Sequence, residues 1–405
     1  VLRIRSPRAV LTIVCIAELM AMSLWFSGTV VAPFLARPWP DPSNAVSSLT
    51  LAVQLGFVAG ALFIAVFNLN DHFSAARVIV GFAWLAAMAN YGSFIHHDSP
   101  AAALTLRFIV GAALAGVYPS GMKLLASWFE HGRGFALGTL VGCLAIGSAL
   151  PHLLSAIGAV TGNNWHFVMR ASTLLAFLGG LLILIFVEDG PFAAKSPPFD
   201  FHQVTSVLRD RRLRLATFGY LGHMWELYSL WTWIAAILAA AYATDPRDPH
   251  VRLWSFIAMA VGLVGCVWAG VAADRAPPAL LVRSRSNVTI IAMVASGACC
   301  LLVAALLFWP RAVTVIVLLW GISVIADSAQ FSAIVSEVAD RRYMGTALTM
   351  QTALGFLLTA FAIRATGAVA QHYGWRAAVA SLAIGPIFGT LAMQRLAQLS
   401  AESAD

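Results

Sequence analysis

Apolar residues run along this chain in long blocks rather than in short alternating segments. Twelve such blocks stand at 10–36, 46–67, 78–95, 101–127, 134–160, 166–187, 214–241, 251–273, 287–309, 311–336, 345–370 and 374–395. Most hold about the 20 residues that a bilayer-crossing helix needs. The strands of a membrane barrel would show alternating segments of about ten residues instead, and none is present. The pattern predicts an all-α membrane protein with twelve transmembrane helices. The longest polar stretch, 188–213, carries a Pro pair and mixed charge and reads as a linker. It divides the chain into an N-terminal six-helix bundle (1–187) and a C-terminal one (214–405), with 188–213 a cytoplasmic linker.

The two halves repeat. Trp165 matches Trp375 at an offset of 210, Asp71 matches Asp274 at 203, and Glu18-Leu19 matches Glu226-Leu227 at 208. Each Glu-Leu pair is soon followed by Ser-Leu-Trp, at 23–25 and 229–231. Such spacing predicts parallel repeats related by an axis along the membrane normal.

Composition closes off other classes. Of 405 residues 60% are hydrophobic and 11% charged, too little charge to cover soluble domains, which carry about 25%. The net charge of +7 comes from basic residues scattered between apolar runs, so no nucleic-acid face is expected. With the N-terminus inside, seventeen of the 25 Lys and Arg residues fall in inner segments and five in outer ones. Both termini are therefore expected in the cytoplasm. The remaining three, Arg107, Arg170 and Arg364, lie within or at the edge of spans. The five cysteines all sit in apolar stretches without zinc-type spacing, and no metal or cofactor is expected. No signal peptide is expected before the first run, which is too long for one.

Placed on this plan, short motifs resemble those of the major facilitator superfamily over essentially the whole chain. The loop motif GxxxDRxGRR of that family keeps Gly270, Asp274 and Arg275 in its second copy. The first copy is reduced to Asp71-His72-Phe73-Ser74-Ala75-Ala76-Arg77. Helix 4 matches Arg-xxx-Gly at Arg107 and Gly111, and the run from Arg133 to Gly138 resembles the usual entry to helix 5. The antiporter pattern of helix 5 is partial: Gly138, Gly142, Gly147 and Pro151 without the Gly-Pro-xx-Gly-Gly core. Helices 7 and 10 look closest to bacterial cyanate- and nitrate-type porters. Nitrate itself is not carried over, because helix 2 lacks the arginine of those porters. The resemblance implies a monomer in a bacterial inner membrane. It also implies that Asp71, Arg77, Arg133, Asp274 and Arg275 act as a conformational gate between the halves.

A charge at the bilayer centre costs roughly 2.5–3.5 kcal/mol and normally faces the bundle interior. Glu18 in helix 1, Arg107 in helix 4, His223 and Glu226 in helix 7 and Asp327 in helix 10 stand in such positions. The resemblance implies that these four helices line a central cavity. Glu18 with Arg107 reads either as a proton switch or as a permanent ion pair. His223 and Glu226, three residues apart, share a helical face. They read as a proton relay, as half of a metal site completed by Asp327, or as a structural pair. Asp327 could bind a cationic group or pair with Arg364. Trp25, Tyr118, Trp225, Tyr228 and Gln330 crowd the same helices, as a mostly apolar ligand pocket would require.

Together these features predict a proton-coupled secondary transporter of a small organic solute, an organic anion or zwitterion favoured. The alternative is an efflux antiporter for amphipathic compounds. No GxxxxGK[ST], HExxH or GxSxG run is present, so neither ATP-driven transport nor an enzyme is expected.

Overall fold

A computed structural model describes residues 4–130, 132–160, 165–193, 209–277, 280–340 and 343–402. Most of the 188–213 linker lies outside the described residues. The first ten membrane helices are α1 Pro7–Leu35, α2 Ala45–Val66, α3 Ala75–Ile95, α4 Pro100–Ala126, α5 Arg133–Ala159, α6 Trp165–Phe186, α7 Arg211–Tyr242, α8 Pro249–Asp274, α9 Leu281–Ala305 and α10 Pro310–Val338. The remaining helical run, Met344–Ala401, is two crossings joined at Gly374. There the backbone takes φ +80°, a value open to glycine at little cost.

Contacts along α7 show the reversal. Tyr220 lies against Gly355 and Trp233 against Gly367, so the segment 344–373 (α11) climbs beside α7. Trp233 also meets Trp375, while Gly222 meets Gly385 and Gly389, so 375–401 (α12) descends. Twelve crossings result, matching the twelve apolar blocks. With alternating direction, α1 begins and α12 ends on one face, called here the terminal face.

Four helices are interrupted where the hydropathy pattern shows single spans. α1 breaks at 23–26, α8 at Val261, α10 at Asp327 and α12 at Ala383. Bilayer hydrocarbon offers no partner for freed backbone groups, so a break there must be served from within the protein.

Close packing comes from small residues, as in other membrane bundles. A Cβ on Gly111 of α4 would sit 2.0 Å from the Val53 carbonyl of α2. The glycine of the Arg-xxx-Gly motif thus lets α4 lie directly on α2. Gly111→Leu is expected to force these helices apart and cost about 2 kcal/mol or more. A thermal-unfolding midpoint in detergent several degrees below that of the unaltered chain checks this; an unchanged midpoint contradicts it.

The halves meet along two seams. Phe57 of α2 stacks on Phe356 of α11, ring centroids 4.3 Å apart. On the other side α5 packs on α8, where Gly138 and Gly142 face Cys266 and Leu263.

Candidate transport cavity

Between these seams lies a cavity of about 430 Å³. Its lining comes from the parts of α2, α4, α5, α7, α10 and α11 nearest the terminal face, out to Asn68, Lys123, Ser336 and Gly345. Phe57, Tyr228 and Phe356 bound its inner end. Behind them the fully buried Trp25 touches all three rings at 5.0, 5.6 and 5.7 Å.

The lining is of two kinds. Tyr118, Met122, Tyr220 and Met224 give it phenolic and thioether surface; Ser328, Ser332 and Ser336 of α10 with Thr349 and Thr352 of α11 give it hydroxyls. The three serines recur every four residues and so share one helical face. Among the described lining residues Lys123 alone is charged, and it is bonded to Asp71 at the mouth.

Past the aromatic end the protein is closed on the opposite face. Arg252 of α8, 3% exposed, donates from Nη2 to the Val30 carbonyl of α1 at 3.0 Å. Its Nη1 lies 3.3 Å from His152 Nδ1 of α5. Arg247 places its guanidinium 5.5 Å from the Phe34 ring centroid, so two arginines of the C-terminal half tie it to the N-terminal half. A hydrogen bond from Arg247 holds the Asp245 carboxyl down at about 2. A depressed carboxyl keeps its contribution above the unfolded value and loses it only as pH falls through the folded one. This loop pair therefore persists at any neutral or mildly acidic pH.

Arg107 does not reach Glu18. Its Nη2 donates to the carbonyls of Leu24 and Trp25 at 2.9 and 2.6 Å, the groups freed by the break in α1. Nη1 donates to Asn90 Oδ1 and Ser27 Oγ at 2.9 and 3.1 Å. Asn90 in turn binds the Met169 carbonyl and Thr173 of α6. Gly28 leaves room for the guanidinium, since a Cβ there would lie 2.8 Å from Nε. Charge-assisted bonds to carbonyls thus replace the expected carboxylate. Glu18 sits deeper in α1, buried, with Oε2 over Gly121 of α4 and no hydrogen bond to Oε1 among the described residues.

His223 and Glu226 share a face of α7 but not a partner. Glu226 accepts from Ser296 Oγ (2.9 Å) and Cys300 Sγ (3.1 Å) of α9 and from Trp320 Nε1 (2.6 Å) of α10. His223 Nδ1 instead stands 2.9 Å from Asp327 Oδ1, and both side chains are almost fully buried. Asp327 is therefore matched by a histidine rather than by Arg364, which is exposed on α11. No metal-binding group of three acids, histidines or cysteines occurs among the described residues.

Of the expected ligand residues, Tyr118 and Tyr228 line the cavity and Trp25 backs it. Trp225 points away: it donates to the Ser381 carbonyl of α12 and meets the exposed Phe361. Two residues from His223 is about 200° around a helix, so the opposite face was already implied. Gln330 accepts from Arg285 Nη1 (2.8 Å) and does not line the cavity.

Among the gate candidates, Asp71 holds Lys123. Asp274 reaches across the halves to the start of α5, where a Cβ on Gly134 would collide with its carboxylate. It also takes Arg285 Nη2 at 3.2 Å. Arg133 bonds locally to the Phe129 carbonyl, and Arg77 and Arg275 are exposed. The serine stripe, Lys123, Tyr220, Asn90 and Arg252 were not singled out from sequence. The four-residue serine period was a usable signal; Arg252 is one of the five basic residues that the charge count assigns to outer segments.

Twelve crossings around a central cavity, open on one face and sealed on the other, define a membrane transporter. The model of the Major Facilitator Superfamily matches residues 13–363, and the chain belongs to that superfamily. It is 23% identical over 294 residues to the "Probable sulfoacetate transporter SauU" of Cupriavidus necator, covering 67% of this chain and 66% of SauU. It is 27% identical over 183 residues to the uncharacterized transporter YgaY of Escherichia coli O157:H7, covering 44% of each. Neither match spans two thirds of the relative's own length. A mutant of the nucleoside transporter NupG shares the fold at TM-score 0.70 and 14% identity, over 96% of this chain and 100% of NupG. These relatives do not bear on the cyanate- and nitrate-type branch.

Proposed function

We propose that this chain is a proton-coupled secondary transporter of a small organic anion or zwitterion. Its halves, 1–187 and 214–405, rock about the cavity so that each face is open in turn. The excess of basic residues in the segments of the terminal side supports a cytoplasmic terminal face, and on this reading the protein acts as a monomer in a bacterial inner membrane. The arrangement described above is then the inward-open one.

One observation carries the substrate class: among the described lining residues the single charged one is a lysine, set in walls that are otherwise apolar, phenolic, hydroxyl or, at Asn68, amide. An anionic group entering the mouth competes with Asp71 for Lys123, while the organic body rests on Tyr118, Met122 and Met224. The name of SauU, whose sulfoacetate is an organic anion, is consistent with this class. Proton coupling rests on carboxyl and imidazole groups held inside the membrane next to the cavity helices.

The test is accumulation of labelled carboxylates, sulfonates, amino acids and cationic amphiphiles in proteoliposomes under an imposed pH gradient. Uphill accumulation of one anionic or zwitterionic class is expected. Lys123→Gln should raise its KM roughly tenfold or more, the worth of one charge-assisted contact. The apolar wall of tyrosines and methionines favours a second reading, efflux of amphipathic compounds. Transport confined to cationic amphiphiles, with no response to Lys123→Gln, would establish that reading instead.

A further inference from the structure

We propose that the His223–Asp327 contact is the proton site that sets the position of the cavity wall. The inference rests on the proton-coupled reading above and gives it a location. Asp327 stands at the break in α10, ending the segment Pro310–Ala326 and preceding Ser328–Val338. The second segment carries Ser328, Ser332 and Ser336 into the cavity. Whatever alters the contact of Asp327 with α7 therefore acts at the pivot of a cavity wall.

The chemistry of the contact makes it sensitive to one proton. His223 Nδ1 and Asp327 Oδ1 stand 2.9 Å apart, yet Oδ1 accepts no hydrogen bond among the described residues. Two buried ionisable groups thus lie in contact without a bond between them, and whether they attract depends on the protons they hold. The other ring nitrogen, Nε2, is buried and has no hydrogen-bond partner among the described residues. A second proton placed there would create a buried N–H with no acceptor, which a folded interior disfavours. This arrangement thus leaves one polar atom of each group unpartnered, and gain or loss of a proton at the pair favours another arrangement.

The surroundings hold no competing partner at hydrogen-bond distance. On α7, Tyr220 stacks beside the imidazole and Glu226 is committed to α9 and α10. From α8, Cys266 feels the Asp327 charge but bonds to the Ile325 carbonyl. From α9, Arg285 reaches Gln330 and Glu337 on the segment Ser328–Val338 and Asp274 at the end of α8. Phe331 covers the ring from α10, and α12 meets this stretch of α7 at Gly385 and Gly389. Arg285 thus tethers the far end of the segment that Asp327 pivots.

The experiment measures alkylation of Ser336→Cys, at the cavity mouth, by a hydrophilic maleimide in lipid nanodiscs. The unaltered chain supplies the background from its own cysteines. Labelling, divided at each pH by that of the same cysteine in the denatured chain to remove the thiolate's own pH dependence, is expected to change at least about threefold between about pH 6 and pH 8. The change should vanish in His223→Gln and Asp327→Asn and persist in Glu18→Gln and Glu226→Gln. Persistence in His223→Gln and Asp327→Asn overturns this location while leaving proton coupling intact. A flat profile in the Ser336→Cys chain itself overturns the coupling reading, and this inference with it. Should the two variants fail to fold, hydrogen exchange of residues 328–338 in the unaltered chain, corrected for intrinsic rate, decides the matter. A pH-dependent change in protection there supports the proposal, and constant protection overturns it.

Discussion

Arg107→Ala is expected to abolish transport and to lower the stability of the protein by about 3 kcal/mol or more. The arginine is the donor for the two carbonyls freed where α1 breaks, and it also ties Ser27 and Asn90 into the same network. Removing it leaves the Trp25 carbonyl without a donor in a region that water does not reach, and the Leu24 carbonyl with the Ser27 hydroxyl alone. Such an orphan costs about 1–3 kcal/mol. Arg107→Lys should recover only part, because a compact ammonium cannot span four acceptors lying in two directions. Thermal unfolding in detergent and solute accumulation in proteoliposomes are the paired readouts. Unchanged stability in Arg107→Ala would show that the break in α1 is held by other means.

Arg252→Ala should act on conformation rather than on stability. Its bonds to the Val30 carbonyl and to His152 exist only while the opposite face is closed. A hydrogen bond from a charged donor contributes about 1.5–3 kcal/mol. Its loss should therefore move the balance toward opening there by roughly ten- to a hundredfold. Ser255→Cys, one turn deeper in α8 and fully buried, reports this directly. Its alkylation from the face opposite the termini should rise at least about tenfold when Arg252→Ala is added. No change would mean that the aromatic layer around Trp25 seals the face alone.

Much of this architecture was legible in the chain. Twelve apolar blocks became twelve crossings because a bilayer demands length and hydrophobicity before anything else. Gly111 stood out as part of the Arg-xxx-Gly match, and its packing on α2 came from the structure. The buried charges were also found, since an ionisable residue inside an apolar run stands out.

Their partners were not. Glu18 and Arg107 lie on neighbouring helices, yet Arg107 reaches carbonyls six and seven residues further along α1, a displacement of about 9–10 Å. The break that exposes those carbonyls falls in Ser23-Leu24-Trp25-Phe26, which contains neither proline nor glycine. The repeated Ser-Leu-Trp at 229–231 passes through α7 without interruption, so the local sequence does not encode the break. His223 found Asp327 rather than Glu226 because α10 is interrupted at that residue, a tertiary fact. Trp225 was the opposite case: helical periodicity alone places it away from His223.

The central claim is that two halves open the cavity to one face at a time. Electron–electron distance measurements between spin labels test it directly. One pair, at Ala65 and Ser336, spans the mouth on the terminal face; the other, at Pro38 and Pro249, spans the opposite face. The account predicts reciprocal changes on adding a transported solute or shifting pH, the first distance shortening as the second lengthens. Distances that change together, or do not change while solute is being transported, would contradict it.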